Sequence, residues 1–133
     1  MSAPPTPPLG AVGWIDLTVP EADTLRDFYS AVVGWEATPL DMGGYADYVM
    51  QVPGAEGGQA GICHARGQNS GIPPVWLIYV TVADLARSLA ACEARGGSVI
   101  SGPRGAGRGT SFAVIRDPAG AVMALFQAAP PGA

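Results

Sequence analysis

Asp16 stands in the run Trp14-Ile15-Asp16-Leu17-Thr18-Val19, an ionisable side chain inside a stretch of alternating character. An acid so placed must find a partner, reach water or carry a raised pKa, because removal from water penalises its charged form. It could hold a cationic ligand group or act as a base. The plainer alternatives are an ion pair with an arginine such as Arg108 or Arg116, or simple solvation at the strand face. Tyr79 occupies the matching place in Leu77-Ile78-Tyr79-Val80-Thr81-Val82, 63 residues further on. Its hydroxyl could donate a hydrogen bond to the same ligand, or the ring could serve as packing with its hydroxyl at the surface. Asp16 and Tyr79 are the candidate acid/base pair.

Cys63 would be a nucleophile only as a thiolate, and the one basic group beside it, His64, should point to the opposite strand face. A buried, small, apolar role is the simpler one for this cysteine. His64, the only histidine, sits where a strand runs into a connector and reads as a surface or dimer-contact residue. The stretch Gly102-Pro103-Arg104-Gly105-Ala106-Gly107-Arg108-Gly109 has the glycines of a phosphate loop. It lacks the Lys-Ser/Thr ending and the following helix that such a loop needs. It reads as a mobile loop whose arginines could line the mouth of a cavity.

The elements that must hold these residues follow from periodicity. Residues 14–19 alternate Ile15, Leu17, Val19 against Trp14, Asp16, Thr18, the pattern of a half-buried strand. Residues 21–33 bring acids Glu21 and Asp23 to the positive end of a helix and set Leu25, Phe28, Tyr29 and Val32 at helical spacing, with Gly34 as the stop. Three strands are expected next, at 35–38, 47–52 and 59–64, separated by turn material, and residues 65–74 form a connector. The order then repeats: a strand at 75–82, a helix at 84–95 carrying Leu85, Leu89 and Cys92, a stop at Gly96-Gly97, and strands near 99–101, 110–116 and 121–127. Gly102 to Gly109 and Asp117-Pro118-Ala119-Gly120 are the turns between those strands. Trp35 and Trp76 are expected to pack helices onto sheet or to lie at a subunit interface. The chain is thus an α+β protein made of one βαβββ unit used twice.

With 133 residues, two such halves must share one domain. Eleven acids against seven basic residues leave a net charge of −4, which argues against nucleic acid, whose binding depends on neutralising phosphates. No apolar run approaches the length of a membrane span, so no membrane partner is expected. Residues 1–11 read as a flexible lead-in without the features of a signal peptide, and 129–133 as a flexible tail. Two cysteines without CxxC spacing make reduced thiols in a cytoplasmic setting the expectation.

The run Trp14-Ile15-Asp16-Leu17-Thr18-Val19, the pair Phe28-Tyr29 followed by Gly34-Trp35, Tyr79-Val80-Thr81-Val82-Ala83-Asp84, Gly96-Gly97 and Asp117-Pro118-Ala119-Gly120 together resemble the vicinal oxygen chelate superfamily, which holds glyoxalase I, bleomycin-resistance proteins and extradiol dioxygenases. The resemblance covers residues 12–128, with module 1 at about 12–64 and module 2 at about 75–128. It implies mixed sheets curled around a ligand cavity, in a homodimer. It also implies metal-ligand positions on the first and fourth strand of each module, which here are Trp14, Gly61, Leu77 and Ala124. None is a metal ligand, so no metal and no cofactor are expected.

If those positions face a cavity, alternation places Trp14, Asp16 and Thr18 on one wall with Gly61 and Cys63, and Leu77, Tyr79 and Thr81 on the other with Ala124 and Phe126. The expected ligand-binding set is therefore Trp14, Asp16, Thr18, Gly61, Cys63, Leu77, Tyr79, Ala124 and Phe126. The functional expectation is metal-independent binding or sequestration of a hydrophobic small molecule, as in bleomycin-resistance-type proteins. The alternative is a metal-free isomerase, lyase or hydrolase of a small aromatic or polyketide-like compound, working by general acid/base chemistry.

Overall fold

The structure, a computed structural model, describes residues 7–129. The described residues form two compact units, Trp14–Leu77 and residues 78–129 with 7–13. Each is a βαβββ unit, so the α+β class and the duplicated order are those expected.

The unit of Trp14–Leu77 contains most of β1 (Val12–Val19), then α1 (Ala22–Val33), β2 (Glu36–Asp41), β3 (Ala46–Gln51) and β4 (Ala60–His64). Its strands lie in the order β2-β3-β4-β1, with β1 and β4 parallel and the other pairs antiparallel. The register sets Asp16 beside Gly61 and Thr18 beside Cys63. Leu17 and Val19 point to the face that α1 covers, where Ala22 of the helix and Tyr48, Met50 and Ile62 of the sheet complete a buried core. By the period of two, Trp14, Asp16 and Thr18 take the opposite face. Gly34 ends α1 in the left-handed conformation at φ 78°, and its N–H bonds to the Ser30 carbonyl at 3.1 Å.

Two expectations for this unit need correction. Of the four apolar residues at helical spacing, only Leu25 and Tyr29 pack inward, while Phe28 and Val32 are 52% and 61% exposed. The helix has an apolar stripe wider than the sheet beneath it can cover. Trp35 precedes the second strand instead of opening it, and its ring joins Tyr29 and Trp76 against the core.

The other unit contains most of β5 (Trp76–Val82), α2 (Leu85–Ala94), β6 (Ser98–Gly107), β7 (Thr110–Arg116) and β8 (Val122–Gln127), in the strand order β5-β8-β7-β6. Again the first and last strands are parallel, with Tyr79 beside Ala124 and Thr81 beside Phe126. Asp84 caps α2 by accepting the Arg87 N–H at 3.2 Å, and Leu85 and Leu89 sink into a core with Ala113, Ile115 and Leu125. The turn at Asp117 is held by its own carboxylate, which accepts the N–H groups of Ala119 and Ala121 at 2.8 and 3.0 Å.

The glycine-rich stretch is not the loop that its composition predicts. Residues up to Gly107 extend β6 as an edge strand on β7, with register shifts after Val99, Ser101 and Gly105. An edge strand tolerates glycine, proline and bulges because one of its sides has no ladder to keep. Of the expected lead-in, residues 1–6 lie outside the described residues. Gly10 and Ala11 bond to the backbone of Thr81 at 2.7 and 3.0 Å. Of the expected tail, residues 130–133 also lie outside the described residues.

Candidate functional site

Strand β1 presents Trp14 and Asp16 two residues apart on one face, and the first holds the second. The indole Nε1 of Trp14 donates to Oδ1 of Asp16 at 3.0 Å. The same oxygen accepts the Cys63 thiol at 3.7 Å. Gly61, the lateral neighbour of Asp16, makes this possible: a Cβ there would collide with the Asp16 carboxylate and stand 3.3 Å from the indole nitrogen. Gly58 likewise lies under the far edge of the Trp14 ring, whose Cη2 would be 3.1 Å from any Cβ at that position. An aromatic plate, an oriented carboxylate and a thiol are thus packed over glycines on a face that does not carry the helix.

Burial pushes the Cys63 thiol far above its ordinary range, and the nearby carboxylates of Asp16 and then Asp47 push it further. Cys63 is a neutral hydrogen-bond donor in this setting and a poor nucleophile. Sequence reasoning misses Asp47, although it is an acid inside a strand just as Asp16 is, and only 7% exposed. Its Oδ1 accepts the backbone N–H of His64 at 2.9 Å and faces the His64 Nδ1 at 3.3 Å.

The reading of His64 as a surface residue is corrected. Its side chain is mostly buried, with Nε2 3.7 Å from Oδ1 of Asp23 on α1 and its ring edge-on to Tyr45 at 5.4 Å. Asp23 also accepts the Tyr48 hydroxyl, which in turn accepts from Nη1 of Arg26 at 2.9 Å. The hydrogen bond to Asp23 and then burial raise the Tyr48 pKa. Carboxylates on a strand and a helix therefore clasp the one histidine at the end of β4.

In the other unit Tyr79, Phe112 and Phe126 share the sheet face opposite α2. The rings of Tyr79 and Phe112 lie 6.1 Å apart and Phe126 is the cross-strand neighbour of both Thr81 and Phe112. Ala124 and Leu77 are fully buried and Thr18 is 3% exposed, whereas Trp14, Asp16, Cys63, Tyr79 and Phe126 keep intermediate exposure. The expected site residues thus fall into two groups. Trp14, Gly61 and Cys63 come together around the Asp16 carboxylate, Thr18 lies beside Cys63 and Leu77 closes the same unit, while Tyr79, Ala124 and Phe126 belong to the second unit.

The metal that a fold of this kind can carry finds no ligands at the four corresponding positions. An indole N–H donates only and is engaged by Asp16, Gly61 has no side chain, and Leu77 and Ala124 are alkyl. No group of three or more His, Cys, Asp or Glu side chains among the described residues is arranged to hold an ion. The described residues at these positions do not fit a metal.

Known proteins share both the sequence pattern and the fold. The chain is 31% identical over 121 residues to a Mycobacterium tuberculosis protein named "Putative glyoxylase CFP32", covering 90% of this chain and 46% of that one. It is 30% identical over 138 residues to the anthracycline biosynthesis protein DnrV of Streptomyces peucetius, covering 89% and 47%. The chain therefore spans about half the length of the curated relatives it matches. Among solved structures, a single-substitution variant of Streptomyces coelicolor methylmalonyl-CoA epimerase, in complex with 2-nitronate-propionyl-CoA, superposes with a TM-score of 0.55 at 18% identity, covering 92% of this chain and all of that one. A hypothetical protein, BH1468 of Bacillus halodurans, gives 0.56 at 11% identity over 93% and 98%. At these identities the likeness is one of fold. Residues 11–125 match the family profile itself, and the chain belongs to the Glyoxalase/Bleomycin resistance protein/Dioxygenase superfamily.

Proposed function

We propose that this protein binds a hydrophobic small molecule with a flat ring, without a metal, on the strand face that carries Trp14 and Asp16. The observation that carries this reading is the Trp14 indole, fixed by its bond to Asp16 and lying over Gly58 and Gly61. A ring immobilised before the ligand arrives loses little entropy on binding and offers a large apolar face, the usual make-up of a small-molecule site. Where metal ligands would stand, apolar groups stand instead, and each Å² of such surface covered by a ligand contributes about 25 cal/mol. Asp16 supplies the polar handle that orients the ligand.

The relatives named for anthracycline biosynthesis suggest the ligand class to try first, a planar polycyclic polyketide-like compound. Those same names support the alternative, a metal-free enzyme acting on such a compound with Asp16 as base. One experiment separates them. The protein is incubated with a planar anthraquinone, and binding and the recovered compound are both measured, for the wild type and for Asp16→Asn. Binding that weakens in the variant while the compound returns unchanged is expected. Conversion that Asp16→Asn abolishes would replace the binding reading by the enzymatic one, and absence of any binding would sink both.

A further inference from the structure

Charge is divided unevenly between the two units. Trp14–Leu77 holds eight of the eleven acids and two of the seven arginines, a balance of −6, while residues 78–129 hold the other three acids and five arginines, a balance of +2. Such asymmetry sets the sign of what each unit attracts. The unit of Asp16 disfavours an anion, and the unit of Tyr79 favours one.

One of those five arginines is built into a sheet face. Arg104 lies in β6 opposite Phe112 of β7, and its Cζ stands 4.8 Å from the centre of that ring. The ladder moves three residues along β6, from Ser101 to Arg104, for two along β7, from Val114 to Phe112, and the extra residue turns Arg104 onto the face of Phe112. The negative face of the ring then holds the cation in place. Phe126 follows Phe112 across the sheet, and the Tyr79 ring lies 6.1 Å from that of Phe112. Arg104, Phe112, Phe126 and Tyr79 all keep intermediate exposure, whereas Val114 and Ala124, in the neighbouring row of the ladder, are fully buried. The face thus offers rings and a guanidinium side by side. Rings cover the apolar body of a planar ligand, and the fork of N–H donors on a guanidinium matches a carboxylate. A neutral ring would gain the stacking without the charge-assisted hydrogen bond.

We propose that the sheet face of Tyr79, Phe112 and Phe126 binds a planar aromatic carboxylate, its ring against the two phenylalanines and its carboxylate on Arg104. The site lies within the second unit and does not depend on the ligand proposed for the face of Trp14 and Asp16. The test compares 2-naphthoate with its uncharged counterpart, naphthalene-2-carboxamide, by calorimetry on the full chain. Amide chemical shifts locate the bound ring, and thermal unfolding is measured alongside. The acid is expected to bind at least about tenfold more tightly than the amide, and the shifts to centre on Tyr79, Phe112 and Phe126. Arg104→Gln should remove that preference, Arg104→Lys should keep part of it, and Trp14→Ala should leave it unchanged. An Arg104 that only braces the edge strand would lower the unfolding temperature when replaced and leave the preference as it was, which overturns the proposal. So does an acid that binds no better than the amide, or does not bind at all. Naphthoate binding lost in Trp14→Ala and kept in Arg104→Gln would place the acid on the other face, overturning this site while supporting the first. If the Arg104 variants fail to fold, the comparison of acid with amide and the map of shifts on the wild type decide the question by themselves.

Discussion

At the scale of single residues, the site turns on what surrounds one oxygen atom. Oδ1 of Asp16 accepts from an indole and from a thiol, so the carboxylate is oriented, and burial first and this carboxylate second keep the thiol protonated. The Cys63 thiol should accordingly be alkylated by iodoacetamide at least about 100-fold more slowly in the native protein than in the urea-unfolded chain. Because the carboxylates of Asp16 and Asp47 oppose its ionisation, Asp16→Asn and Asp47→Asn should each speed alkylation; a slower reaction in either would contradict the assignment. The same shift has a sign in stability. The folded-state pKa of Cys63 lies above its ordinary value of 9.0, so the unfolded chain loses this proton first. Stability is constant with respect to this group below that pH and falls as pH rises above it, and Cys63→Ala should flatten that part of a denaturation profile. Sequence singled out Asp16 as an acid inside a strand, and alternation turned His64 away from Cys63, leaving that thiol without a base beside it. It did not show that Trp14 and Asp16 would bond to each other, because two residues on one strand face are not obliged to touch. The absence of a side chain at Gly61 leaves room for the Asp16 carboxylate to lean that way.

At the scale of elements, the helices and most strands were written in period and punctuation. Gly34, Gly96 and Asp117 fall where a helix or strand stops, and alternation placed Leu17 and Val19 correctly under α1. The glycine-rich strand β6 was not legible, for the signals that mark a turn in a central segment are permitted in an edge strand. The clasp on His64 was hidden for a different reason. It needs Asp23 from a helix and Asp47 from a strand, 24 residues apart in sequence, and only the crossing of α1 over β3 and β4 brings them together. Tyr48 is the residue through which this crossing can be tested. Its hydroxyl gives a hydrogen bond to Asp23 and receives one from Arg26 at a buried position, so Tyr48→Phe should destabilise the protein by about 1 to 2 kcal/mol. Chemical denaturation showing no loss would mean that these bonds add nothing to the packing of α1. Gly61→Ala tests the site-bearing element in the same way. Its methyl group displaces the Asp16 carboxylate from Trp14, with an expected cost of about 1 to 3 kcal/mol and a changed Trp14 emission in a Trp35→Phe/Trp76→Phe background.

At the scale of the whole molecule, the proposed metal-independent binding can be measured. The family profile spans residues 11–125, yet the four positions through which such a fold would hold a metal carry Trp14, Gly61, Leu77 and Ala124. A ligand that binds only the folded state raises stability by RT ln(1 + [L]/Kd), about 2.7 kcal/mol when its concentration is a hundred times Kd. For a domain of this size that corresponds to a rise of several degrees in the unfolding temperature. Zinc, nickel, iron(II) and manganese should therefore leave the melting curve where it is, because no set of donors among the described residues converges to offset the dehydration of the ion. A planar anthraquinone should raise it, and the rise should shrink in Trp14→Ala, which is expected to weaken binding by about 1 to 3 kcal/mol through the lost aromatic contact. A metal that shifts the curve by several degrees would show that donors outside these four positions assemble into a centre. An anthraquinone shift untouched by Trp14→Ala would move the ligand to another face of the molecule.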